Sequence, residues 1–344
     1  MSRSFLVSGL ARAGASLVLA GAAVVVAGPA GSSVSAVSRA PMLRPVQAAR
    51  PIVRAPRMDA SGCSKAVVYA ASYNNAVYIY DQMHNHNAAC GSITGLVNPQ
   101  GLFVDKSRNL WIVNGGNGRT VLGEVLEFSP GNPSPVKTLQ DSAGSPVDVA
   151  IDNKSGTAYV SNITQKGSLP GAIEVYAGGS TTPTATLADP DMTYAFYDAV
   201  DDQGNLYVTF LHATSTMGVG QVDEWIGGSG SPLNLDITLQ APGGIQTTST
   251  GALLICDQSA PACGDFAPGS TTMTDQFATT DSDPFAVALD RHEKHAWVED
   301  TGTGDLQRWA YPGPDAKPLN QFAVAGGAYA GVAASPAAPP GAPW

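Results

Sequence analysis

The chain has 344 residues, 44% of them hydrophobic and 13% charged, with 38 Gly and 25 Pro. It is apolar enough for a core, which excludes global disorder, and suits many short strands between turns better than helices rich in Ala, Leu, Glu and Lys. After residue 60 there are 11 basic against 27 acidic residues, a formal charge of −16. Such a body repels nucleic acid, whose binding depends on neutralising phosphates, and an anionic membrane surface for the same reason.

At the N-terminus, Arg3 and Arg12 precede the uncharged run ASLVLAGAAVVVAG, followed by Val34-Ser35-Ala36. A basic start, a short apolar centre and a small-x-small exit predict a secretory signal over residues 1–36. The run is shorter than the roughly 20 residues needed to span a bilayer. Cleavage is therefore expected, with no membrane insertion of the mature domain. Residues 37–62 hold five arginines among Ala, Pro and Val, without helix or strand period, and read as a flexible linker. The four cysteines, Cys63, Cys90, Cys256 and Cys263, fit no CxxC metal pattern. In an exported chain the economical reading is two disulfides, Cys63–Cys90 and Cys256–Cys263. A secreted, periplasmic or cell-surface location follows from these features.

From residue 63 onward a hairpin recurs. LFVDKSRNLWIVN is followed by VAIDNKSGTAYVSN, DAVDDQGNLYVTF, IQTTSTGALLICD and VALDRHEKHAWVED. The turn position reads Asp105, Asp152, Asp201, Thr248 and Asp290, and the second strands end at Asn114, Asn162, Phe210, Asp257 and Asp300. A third strand carries Phe128, Tyr176, Trp225, Phe266 or Trp309 before a turn, and a more polar fourth segment follows. Four-stranded units spaced roughly 40–50 residues apart predict β-propeller blades. VVYAASYNNAVYIYDQ and GSITGL supply the last three strands of a further blade, and AYAGVAASP supplies the first. Joined, they close a six-bladed all-β ring over residues 63–336, leaving 337–344 as a Pro/Ala-rich tail. A closed ring predicts a monomer without exposed terminal sheet edges.

The phrases PQGLFVDKSRNLWIVN and AIEVYAGGSTTPTATL resemble elements of the NHL-repeat and gluconolactonase-like six-bladed propellers. The resemblance covers about residues 64–336 and implies that fold. It carries little about function, because the matching residues are mostly turn and core positions. Gluconolactonase-like enzymes use a Glu/Asn/Asp metal site in the central channel to polarise a lactone carbonyl. Here no glutamate sits early on an inner strand, and the closing strand AYAGVAASP has no carboxylate.

An Asp opening a short turn accepts hydrogen bonds from backbone N–H groups two residues on, so the four turn aspartates read as structural. The second strands of a propeller end on the face where the first strands begin. Asn114, Asn162, Asp257 and Asp300 are therefore expected near the channel mouth, with Gln100, Asp148 and Tyr197 beside them. Their oxygens suit Ca²⁺ or Mg²⁺, although strand capping is the simpler role. His84 and His86 form a half-site for a transition metal, but in an insertion expected on the opposite rim. His292 and His295 also belong to that rim, and His212 alone belongs to the mouth face. No nucleophile elbow or phosphate loop occurs. Asn162-Ile-Thr164 matches the N-glycosylation pattern. The long loops 163–171 and 211–220 rise on the mouth face, where binding loops on a rigid scaffold are expected. The leading expectation is an exported, non-catalytic propeller that binds a protein, peptide or glycan at this face. The alternatives are a divalent-metal-dependent lactonase-like hydrolase or lyase, and a structural cell-surface module.

Overall fold

The computed structural model describes residues 55–82, 88–117, 122–165, 169–213, 218–278, 283–313 and 317–337. The predicted signal, the linker up to residue 54, the tail from 338, and His84 and His86 lie outside the described residues.

Every sheet is antiparallel, and six of them form a ring. Strand β1 (Arg57–Asp59) comes first, followed by β2 (Val67–Ser72), β3 (Ala76–Asp81) and β4 (Gly91–Thr94). The first complete blade is β5 (Pro99–Val104), β6 (Leu110–Asn114), β7 (Glu124–Phe128) and β8 (Lys137–Gln140). The second is β9 (Pro146–Ile151), β10 (Ala158–Asn162), β11 (Ala172–Tyr176) and β12 (Ala185–Leu187). The third is β13 (Tyr194–Val200), β14 (Leu206–Ala213), β15 (Gly218–Trp225) and β16 (Leu233–Leu239). The fourth is β17 (Pro242–Thr247), β18 (Leu253–Asp257), β19 (Ala262–Phe266) and β20 (Met273–Ala278). The fifth is β21 (Pro284–Leu289), β22 (His295–Asp300), β23 (Asp305–Ala310) and β24 (Asn320–Ala323). Strand β25 (Ala328–Ser335) pairs with β2, from Val67↔Ser335 to Ser72↔Ala328, and completes a sixth blade from both ends of the chain. The predicted closed ring is the observed one.

Burial explains the strand chemistry. All residues of β6, β10, β18 and β25 are buried, because a middle or inner strand is covered by neighbouring blades on both faces. Such strands read as continuous Val, Ile, Leu and aromatic runs rather than as alternating ones. The outermost strands are half covered, and β16 alternates exposed and buried residues along LNLDITL. The core is a series of layers between blades. Trp111 of the first blade packs with Val149, Val160 and Tyr176 of the second. Tyr159 of the second packs with Val208 and Trp225 of the third. The third-strand aromatics Phe128, Tyr176, Trp225, Phe266 and Trp309 are all buried.

The sixth blade gains a fifth strand. β1 pairs with β4, and the Met58 N–H donates to the Pro133 carbonyl of the first blade at 2.8 Å. Arg57–Asp59 fell within the predicted linker, because three residues carry too little pattern to read as a strand. Both predicted disulfides are present, Cys63–Cys90 near this edge and Cys256–Cys263 between opposed residues of β18 and β19.

Candidate functional site

One face of the ring carries the starts of the first strands and the ends of the second. The register places Pro99 opposite Asn114, Pro146 opposite Asn162, Pro242 opposite Asp257 and Pro284 opposite Asp300. In all six blades the register between these two strands shifts near this end. Irregularities of this kind bend a strand and re-aim its side chains, here around the channel mouth.

The strand-end residues spend their polar atoms on the loops that lead into the first strands. Asn114 accepts the Val97 N–H at 2.6 Å through Oδ1 and donates to Glu124 at 2.9 Å through Nδ2. Asn162 accepts the Ser145 N–H at 3.2 Å. Asp257 accepts four backbone N–H groups, from Gln240, Ala241, Ser259 and Ala260. Asp300 takes the N–H groups of Asp283 and Thr303 and the Gln307 amide. Phe210 fills the same position in the third blade as a buried apolar residue. Asn162 is fully buried, so its sequon presents no accessible amide in this fold. No group of three or more His, Cys, Asp or Glu suited to a metal occurs among the described residues.

On the opposite face the turn aspartates behave as their repetition predicts. Oδ1 of Asp105, Asp152, Asp201 and Asp290 accepts the N–H two residues on, at 2.8, 2.8, 2.7 and 3.1 Å. The second oxygen takes Trp111 Nε1 from Asp105, the Tyr207 hydroxyl from Asp201 and His295 Nδ1 from Asp290. His295, the first residue of β22, is thereby tied to the turn. A shallow recess on this side is lined mainly by Leu102, Val104, Ala199, Ala288, Val332 and Ala334.

Inside the mouth the channel narrows to a cleft lined by Gly101, Asp148, Tyr197, Gly244, Ala286 and Gly331. Tyr197 reaches across it from the third blade, its hydroxyl 3.4 Å from the Ala330 carbonyl of the sixth. Glycine permits the close approach of the strands. A Cβ on Gly331 would lie 2.0 Å from the Gln100 carbonyl oxygen, and one on Gly101 would lie 1.9 Å from Asp148 Oδ1. Asp148 Oδ2 accepts the Asp198 N–H at 3.0 Å, and Asp198 Oδ2 accepts the Ser161 N–H and hydroxyl at 3.1 and 2.7 Å. Burial, reinforced by Asp198, pushes the Asp148 carboxyl well above its usual range, and burial lifts Asp198 to about 7.

In the second, third and fifth blades the residue before the strand end reaches toward the next blade, a pattern the sequence alone did not expose, whereas Val113 and Cys256 hold that position in the first and fourth. Ser161 binds Asp198, the Thr209 hydroxyl donates to the Gly243 carbonyl at 3.0 Å, and Glu299 Oε2 accepts the Gly331 N–H at 2.6 Å. Repetition pointed to the residue after it, whose polar type recurs. Ser, Thr and Glu at this position share no residue type and gave no such signal. Glu299 is fully buried, its Oε1 has no hydrogen-bond partner, and burial raises its pKa well above the ordinary value.

Among the described residues the rim is aromatic and neutral to acidic. Gln100, Val147 and Phe285 are the second residues of β5, β9 and β21, Phe196 is the third of β13, and all four are half-buried. Tyr73 and Tyr329 pack with ring centroids 4.5 Å apart. Asp283 precedes β21 and accepts the Thr301 hydroxyl at 3.2 Å, and burial lifts its pKa to about 6. In the third blade β14 and β15 run past the level of Phe210 to Ala213↔Gly218, so half-buried His212 stands on a hairpin projecting from this face. The structure thus places Asp148 and Tyr197 inside the channel, Gln100 on the rim, His212 on the projecting hairpin, and the four polar strand ends beneath the loops.

The chain matches no protein-family model and no curated protein sequence. Among solved structures it is similar to a chain in the crystal structure of a nidogen/laminin complex, with 15% sequence identity and a TM-score of 0.62, over 78% of this chain and 97% of that one. At that identity the likeness is one of fold. It supports the six-bladed propeller, and the NHL or gluconolactonase-like family is not confirmed.

Proposed function

We propose that this protein is an exported, non-catalytic propeller that binds a protein, peptide or glycan through the mouth face. The observation that carries this reading is the use of the strand-end Asn and Asp residues. A lactonase-type centre needs several of their oxygens free around one point, whereas Asp257 and Asp300 have both oxygens engaged within the loops. Tyr197 fills the channel below, so a ligand meets a surface of loops, amides and half-buried aromatics. Two disulfides fit an oxidising compartment. A propeller of the same fold solved within a protein complex accords with the reading. The formal charge of −16 after residue 60 suits a protein, peptide or glycan and disfavours polyanions.

The test uses combined peptide and glycan arrays read with three proteins. These are the wild type, a mouth variant (Val147→Arg with Phe285→Arg), and an opposite-face variant, Lys154→Glu. Binding is expected to be lost in the mouth variant and kept in the other. Binding that survives the mouth changes and disappears with Lys154→Glu would contradict the reading, as would hydrolysis of lactones by the purified protein with added Ca²⁺.

A further inference from the structure

We infer that the segment 338–344, APPGAPW, docks in the recess on the opposite face, with the Trp344 indole laid over the apolar end of the channel. The inference concerns the face away from the mouth and stands apart from the mouth-face reading.

The path of the chain leads there. In each of the five complete blades the first strand runs to the opposite face and passes by a short turn into the second strand. The sixth blade draws its second strand, β2, from the other end of the chain, so β25 has no such turn to enter. After Ser335 the chain instead crosses toward the fifth blade. Ala337 forms an antiparallel bridge with Asp290, in the turn that follows β21. Ala337 is half-buried and belongs to the lining of the recess. The segment that follows is therefore tethered at the edge of the recess.

Recess and segment are chemically matched. Leu102, Val104, Ala199, Ala288, Val332 and Ala334 give the recess apolar walls, and the turns of this face carry Lys106, Lys154, Arg291 and Lys294. The segment has no charged side chain and one large one, an indole whose removal from water is favourable. Half-buried Gln246, also in the lining, offers an amide oxygen to the indole N–H. Pro340-Gly341 has the residue types favoured at the two central positions of a type II turn, which returns Trp344 toward the tether. Three prolines leave the segment little backbone freedom to lose on docking. Depth decides between this occupant and an outside one. The recess is shallow, whereas a site for a free small ligand encloses most of the ligand's surface. A shallow apolar floor holds a weak binder when a tether raises its local concentration, and Ala337 is that tether.

The experiment measures tryptophan emission and acrylamide quenching of the full chain and of Trp344→Phe, and takes the difference as the Trp344 signal. Trp111, Trp225, Trp297 and Trp309 are all buried, so they add little quenchable background. The Trp344 signal should be blue-shifted and quenched about threefold less than that of the free peptide APPGAPW, because a packed indole is screened from solvent. Leu102→Gln, which makes the wall polar, and Ala334→Gln, which fills the recess, should each restore the free-peptide value, with melting curves confirming the fold. Hydrogen–deuterium exchange of Trp344→Ala against the wild type reads the same contact without altering the core, and faster exchange is expected at 246–248 and 288–290. A wild-type Trp344 signal equal to that of the free peptide would overturn the inference, as would unchanged exchange in Trp344→Ala. Shielding indifferent to both recess variants would place the indole elsewhere, and shielding that grows with protein concentration would place it on a second copy; either result overturns the inference.

Discussion

Removal of residues 328–337 is expected to abolish cooperative folding of the propeller. Every residue of β25 is buried, and the strand joins the sixth blade to its neighbours on both sides. Without it β2 loses a paired edge, and the layer containing Val68, Ala328 and Val332 opens to water. Burial of one aliphatic side chain is worth about 1.5–3 kcal/mol, and total domain stability is only about 5–15 kcal/mol. A strand carrying Val332, Tyr329 and several alanines therefore outweighs the margin. Gly331→Val is the single-residue form of the same test, since its Cβ would lie 2.0 Å from the Gln100 carbonyl oxygen and push β25 off β5. Calorimetry should show no cooperative transition for the truncated chain and a transition lowered by many degrees for Gly331→Val. A truncated chain that melts like the full one would show that the ring is not closed by its termini.

The second large effect is a stability that falls as pH rises. Burial lifts Asp141 to about 8, helped by the Glu174 carboxyl, and lifts Asp198 and Asp223 to about 7 and Asp265 to about 6. Glu299 and Asp148 are also displaced upward, again by burial first. In the unfolded chain these groups titrate near 4. Between about pH 4 and pH 8 the folded protein therefore holds protons that the unfolded chain releases, so stability declines with pH. The contribution is complete below about pH 4 and is lost as pH passes through 6 to 8. Asp198 contributes to this loss through its burial, since the folded chain holds its proton over a range where the unfolded chain has released it. A melting temperature higher by on the order of 10 °C at pH 5 than at pH 8.5 is expected. Asp198→Asn keeps an acceptor for Ser161 and should flatten the slope. A melting temperature that rises from pH 5 to pH 8 would contradict the assignment.

The ring was legible because a blade repeats local chemistry. The turn aspartate, the aromatic after it and the glycine turn after the third strand are each set by contacts within one blade, so they recur at the same spacing. The split blade was legible for the same reason, as VVYAASYNN lacked a first strand and AYAGVAASP lacked a partner. The interior of the channel was less legible. Tyr197 acts by crossing from the third blade to the sixth, and Asp148, Asp198 and Glu299 act on adjacent blades. Contacts between repeats distant in sequence leave no periodic trace. The strand-end Asn and Asp residues stood out by repetition, and their hydrogen bonds show what repetition recorded there, a loop-capping geometry common to the blades.

Hydrogen–deuterium exchange of the full chain with and without a ligand positive on the peptide and glycan arrays tests the mouth-face account most directly. The account predicts slowed exchange in segments 73–75, 96–100 and 301–304 and no change in the turns 105–109 and 290–295. Slowing confined to those opposite-face turns, or no slowing in the mouth segments at saturating ligand, would contradict it.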